Sequence, residues 1–171
     1  MFDELDLVQL VLLQSLYIVC IVAFLYCSYT DLRTRRIPNR VTYPLLLITL
    51  LVMALCGSLL QAVLGGLLTG GILLVPRILG GSEKAGMGDV KLSALGGMLV
   101  GPGYAFSALF ISFFLAWIIL MPFVLSKRLH RSQPVAFGPY LALGFILVIA
   151  LYIWPDTWAA LSFAYRTMVI D

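Results

Sequence analysis

The stretch VQLVLLQSLYIVCIVAFLYCSYTDLRTRRIPN, Val8 to Asn39, decides how the rest of the chain is read. Its first part, Val8–Tyr29, is long and apolar enough to cross the roughly 30 Å bilayer core as a helix, which needs about 20 such residues. Its second part packs one acid, Asp31, and the arginines Arg33, Arg35 and Arg36 into the mouth of that segment. An apolar span followed at once by a basic loop is the sequence signature of a membrane-spanning chain.

Composition extends this reading outward. Of 171 residues, 62 % are hydrophobic and only 11 % charged, against about 45–50 % and about 25 % in soluble domains. No linker or low-complexity tract divides the chain, so one membrane-embedded domain over residues 1–171 is expected. The acidic start, MFDELDLVQL, lacks the basic flank of a secretory signal, so the first segment reads as a retained helix.

Five further spans follow. They are Val41–Cys56, with Pro44 in its first turn, Leu59–Leu79, a short Val90–Val100, Tyr104–Leu125 and Phe137–Trp154. The expected fold is all-α and polytopic, with about six transmembrane helices, one of them short. The tail, Pro155–Asp171, repeats Trp158, Leu161, Tyr165, Met168 and Val169 at helical spacing, which predicts an interfacial segment with an aromatic anchor. The basic residues agree with six passes. Ten of the eleven Lys and Arg lie in or flank the loops between spans one and two, three and four, and five and six; only Arg166 falls elsewhere. The positive-inside rule then puts these loops in the cytoplasm and both termini outside. The arginines read as topology signals that also meet anionic headgroups of membrane lipids, and no nucleic-acid partner is expected. Gly66 and Gly70, and Gly97 and Gly101, form G-x-x-x-G pairs that read as close helix contacts.

Metal and disulfide chemistry find no support. Cys20, Cys27 and Cys56 form no C-x-x-C pair, and one His is too few for a His/Cys zinc site. They read as small apolar packers; no metal or cofactor is expected.

Three acids remain once termini and outer flanks are set aside: Asp31, Glu83 and Asp89. Asp31 ends the first span and Asp89 opens the short fourth, both at the predicted cytoplasmic edge. Acids beside apolar spans are costly and mark functional sites by default. Two carboxylates at one level can share a proton, one activating water while the other protonates a carbonyl. The bland alternative is local pairing, Asp31 with Arg33 or Arg35, and Asp89 with Lys91. Gly86 and Gly88, in EKAGMGDVKL, allow the backbone before Asp89 close approaches. Glu83, beside Lys84, reads as a solvated residue or a substrate contact. A helix start favours an anion and a helix end disfavours one, but Arg33 and Arg35 act on Asp31 in the opposite sense, so which acid is base and which is proton donor stays open.

Three blocks, taken together, resemble a known family. GMGD, Gly86–Asp89, followed by VKLSALG, resembles the G-x-G-D motif of membrane aspartyl proteases. DLRTRRIPNRVT resembles the first-aspartate segment of type IV prepilin peptidases, and FGPYLALG, Phe137–Gly144, resembles a further block of bacterial members. The resemblance implies an aspartyl endopeptidase of the bacterial inner membrane. It would cut the basic leader from type IV prepilins or type II secretion pseudopilins, after a Gly, at the cytoplasmic face. It implies Asp31 and Asp89 as the catalytic pair and Gly86 and Gly88 as the active-site loop. Glu83, Lys91 and Arg33, read from their charge and position rather than from the resemblance, are candidate substrate or lipid contacts. Many members also methylate the product through an N-terminal region, often with a four-cysteine zinc site. Neither that region nor those cysteines occur in this sequence, so a peptidase-only form without methyltransferase activity is expected. The main competing reading is a small transporter or channel using Asp31 and Asp89 as a proton or ion relay; a third is a non-catalytic assembly subunit. Oligomeric state is not legible.

Overall fold

The computed structural model describes residues 6–80, 86–125 and 136–170. Among them the chain is all helix: α1 (Leu7–Thr34), α2 (Asn39–Leu55), α3 (Leu59–Gly80), α4 (Met87–Leu125), α5 (Gly138–Val148), a π-helical turn (Ile149–Ile153) and α6 (Trp154–Ile170). Four segments are long and apolar enough to cross a membrane, Leu7–Thr34, Leu59–Leu79, Met87–Pro122 and Gly138–Phe163, and Asn39–Leu55 is a shorter apolar helix. The protein is an all-α polytopic membrane protein.

Contacts between distant residues fix the direction of each pass. Along α1, Gln9 donates to the Leu55 carbonyl, so α2 runs antiparallel to it. In α3, Thr69 donates to the Ser93 carbonyl at 2.8 Å, and Gly70 lies against Ala94 while Gly65 lies against Gly97 and Gly101, so α3 and the first half of α4 are antiparallel. At Gly101 the helix breaks, with φ 69° and ψ 173°. The chain then reverses, because the Tyr104 ring lies beside Tyr152 and the Phe113 ring beside Phe137, while α1 meets α5 and α6 through Asp31–Gly138, Phe24–Phe145 and Gln14–Thr157. Glycine suits the left-handed backbone at Gly101, and Pro102 suits the first turn of the helix that follows. Six alternating passes result. The fourth, Met87–Val100, reaches only roughly 20 Å at about 1.5 Å per residue, short of the ~30 Å bilayer core.

Small residues let α3 and α4 touch. A Cβ on Gly66 would meet the Met98 side chain at 2.6 Å, and one on Gly70 would meet the Ala94 Cβ at 3.1 Å. Both expected G-x-x-x-G pairs therefore lie at the α3–α4 contact, but they do not meet each other: Gly66 and Gly70 face Met98 and Ala94, while Gly97 and Gly101 face Gly65. Lipid provides no hydrophobic drive between helices, so such packing and interhelical hydrogen bonds take its place. Around this seam a continuous core includes Tyr17, Phe24, Leu92, Leu95, Leu141 and Phe145. Cys20, Cys27 and Cys56 are buried, and Cys20 Sγ sits 3.9 Å from Thr49 Oγ1.

Two boundaries differ from expectation. Asn39 rather than Val41 begins α2, which moves Pro44 beyond the first turn. The tail does not break away at Pro155. The π-helical turn carries α5 directly into α6, and the Trp154 N–H bonds the Ile149 carbonyl. Proline cannot donate to the carbonyl four residues back, and a widened turn accommodates that. The first turn of α6 is packed: Thr157 is fully buried and shares a 3.4 Å hydrogen bond with Gln14.

Candidate active site

Asp31 sits one turn before the end of α1, and its backbone carbonyl accepts the capping N–H of Arg35 at 2.8 Å. Arg35 adopts a left-handed conformation, φ 53°, which stops the helix as a C-cap does. The Asp31 side chain turns inward and is only 6 % exposed. A buried carboxylate requires hydrogen-bond partners. Gly138, the first residue of α5, supplies one: its N–H donates to Asp31 Oδ2 at 2.9 Å. A helix start carries free N–H groups and favours an anion, so the positive end of α5 offsets the negative end of α1 at this carboxylate.

Asp89 lies in the first turn of α4, half-buried. Its backbone N–H closes a turn onto the Gly86 carbonyl at 3.1 Å, and a Cβ on Gly86 would lie 3.3 Å from Asp89 Oδ2. Gly88 faces the other motif: a Cβ there would meet Ile37 Cβ at 2.9 Å. The loop after Asp31 and the first turn of α4 thus touch through Ile37 and Gly88.

Neither basic candidate pairs with an acid among the described residues. Lys91 Nζ donates to Asn39 Oδ1 at 3.0 Å and lies 4.3 Å from the Tyr43 ring centre. Arg33 lies over the Tyr29 ring at 5.3 Å. Lys91 therefore ties α2 to α4 beside Asp89, and Arg33 stays on the flank of α1. Glu83, with Lys84, Lys127, Arg128 and Arg131, lies outside the described residues.

Gly138 is the residue whose role sequence reasoning missed. The Gly-Pro pair at the start of a span, on the same edge as Asp31, was the available signal. A cavity of about 280 Å³, lined by Tyr17, Gln61, Gly101, Tyr104, Tyr152 and Asp156 among others, opens at the opposite end of the bundle and is not part of this site. One buried hydroxyl, Ser93 Oγ, one helical turn from Asp89, has no hydrogen-bond partner among the described residues.

Two acids are thus brought to one end of the bundle, one buried against a backbone N–H and the other half-buried in the first turn of α4. Comparison with known proteins bears on their role. A model of the type IV leader peptidase family matches residues 18–121. A prepilin leader peptidase/N-methyltransferase of Aeromonas salmonicida (strain A449) is 31 % identical over 137 residues, 76 % of this chain and 46 % of that protein. One of Aeromonas hydrophila is 32 % identical over the same share of each. The chain thus spans about half the length of the curated relatives it matches. No solved structure matches it significantly.

Proposed function

The chain belongs to the type IV leader peptidase family, and from that premise we propose that it is an aspartyl endopeptidase that removes the leader from type IV prepilin or pseudopilin precursors. Asp31 and Asp89 act as a pair. One carboxylate takes a proton from water as the oxygen adds to the scissile carbonyl carbon, and the other carboxyl protonates the carbonyl oxygen. The tetrahedral species collapses as the C–N bond breaks and the leaving nitrogen takes up a proton. The pair titrates as a unit.

The observation that carries this reading is the convergence of two acids, 58 residues apart in sequence, at one end of the bundle, on segments that touch through Ile37 and Gly88. Asp31 is buried yet bonded to a backbone N–H rather than to Arg33, unlike a surface ion pair. The short fourth pass keeps Asp89 where both water and an apolar substrate helix can reach it. The scissile bond must leave the helix to be cut, which suits a substrate Gly. The described basic residues Arg33, Arg35, Arg36, Arg40, Arg77 and Lys91 gather at the same end, so we assign it to the cytoplasmic side, with the termini outside.

The test is co-expression with a prepilin and detection of the size shift on cleavage. Asp31→Asn and Asp89→Asn are each expected to remain in the membrane and to lose cleavage by roughly 10²-fold or more. Processing that survives either change removes that residue from the pair. An ion flux abolished by the same variants, without proteolysis, replaces the peptidase with the relay.

A further inference from the structure

We infer that Gly138 is a positioning residue for catalysis, its backbone N–H fixing Asp31 Oδ2 so that Oδ1 is the oxygen left to face the reactants. The inference rests on the peptidase reading of Asp31.

Three observations support it independently of the sequence block that contains Gly138. The first is the donor inventory at the start of α5. Pro139 has no N–H, and Tyr140 and Leu141 give theirs to the Phe137 carbonyl at 3.1 and 3.2 Å. Of these first four residues, Gly138 alone has an N–H left, and it points at Asp31 from 2.9 Å. The second is space. A Cβ at position 138 would lie 2.7 Å from Asp31 Oδ2, 3.1 Å from Cγ and 3.3 Å from Cβ. All three of its nearest neighbours belong to Asp31, so the carboxylate itself accounts for the glycine. The third is support. Phe137 packs against Phe113 at 5.2 Å and Tyr140 at 6.3 Å between ring centres, and Pro139 limits the backbone of the turn. The donor is held stiffly, as an oriented catalytic group requires.

A Cβ added at Gly138 has little freedom to yield, because Asp31 is itself buried. The carboxylate must rotate away, which breaks the 2.9 Å bond and turns Oδ1 out of place. The binding of substrate to the rest of the protein is untouched. Displacement of a catalytic group on the scale of 1 Å costs about 10²-fold in rate.

The experiment uses the full-length chain in detergent with a purified prepilin, and four proteins: wild type, Gly138→Ala, Asp31→Ala and the double variant. Expected for Gly138→Ala is a fall in kcat of about 10²-fold with KM unchanged. Thermal melting supplies a readout that a general packing role would not produce. Gly138→Ala lowers Tm in the wild-type background and leaves it unchanged in the Asp31→Ala background, where the carboxyl group is gone. Should Gly138→Ala fail to accumulate while the double variant does, the same coupling is shown. Cleavage by Gly138→Ala at the wild-type rate, or an equal Tm loss with and without the Asp31 carboxyl, overturns the inference. The peptidase reading stands or falls separately, on whether Asp31→Asn still cleaves.

Discussion

Gly97→Ala puts the helix seam to the sharpest test, because its effect can be set against a matched control. A Cβ at position 97 would run into Thr69 Oγ1 and the Gly65 carbonyl, with the Gly65 carbonyl carbon 2.8 Å away. Two of these neighbours are backbone, so relief requires α3 and α4 to separate. Overpacking of this kind costs about 1–3 kcal/mol. Thr69 also donates to the Ser93 carbonyl at 2.8 Å and to its own Gly65 carbonyl at 3.0 Å. Loss of the bond between helices adds about 1 kcal/mol. Alanine returns roughly 0.8–1 kcal/mol of helix propensity, leaving a net loss of about 1–3 kcal/mol. Gly71 lies on the same α3 helix, and a Cβ there meets nothing within 4 Å. Gly71→Ala should therefore gain up to about 1 kcal/mol. At about 2–4 °C per kcal/mol for a chain of this size, thermal melting in detergent should show Gly97→Ala well below wild type and Gly71→Ala at or above it. Equal Tm values for the two variants would refute the close approach of α3 and α4. The seam also sets the position of the helix that carries Asp89, so Gly97→Ala should cleave prepilin more slowly and Gly71→Ala at the wild-type rate.

Ser93→Ala removes a buried hydroxyl without a partner among the described residues and leaves the Ser93 carbonyl free to accept from Thr69. An orphaned buried polar group costs about 1–3 kcal/mol, so chemical or thermal denaturation should show a gain of about 1 kcal/mol; a loss would mean that the hydroxyl is satisfied in solution. Gly88→Ala drives a Cβ to 2.9 Å from Ile37 Cβ, forcing the first turn of α4, which bears Asp89, away from the loop that follows Asp31. Expected are a destabilisation of about 1–2 kcal/mol and a larger fall in kcat than in Tm would suggest, measured on the prepilin assay; unaltered kcat would detach that contact from catalysis.

Much of this protein was legible in one dimension. Length, hydropathy and the clustering of Lys and Arg are local properties, and they suffice for an all-α membrane bundle whose passes alternate. The boundary between the spans that end at Val100 and begin at Tyr104 was placed correctly, though Gly101 was read only as a packing glycine, and Asp31 and Asp89 stood out because acids are rare and costly beside apolar spans. Pro155 misled in part: read locally it ends a span, but a π-helical turn absorbs its missing N–H and the helix runs on.

What the sequence determined alone was therefore which residues span the bilayer and which charges gather at its edge, because the cost of burying charge and unpaired backbone in lipid acts on each segment separately. The tertiary structure decided the partners. Asp31 had three arginines within five positions, yet its carboxylate meets a backbone N–H 107 residues away. Likewise, Gly88 finds Ile37 and Gly97 finds Gly65. Contacts of that kind depend on which faces the helices turn to one another, and no residue carries that information by itself.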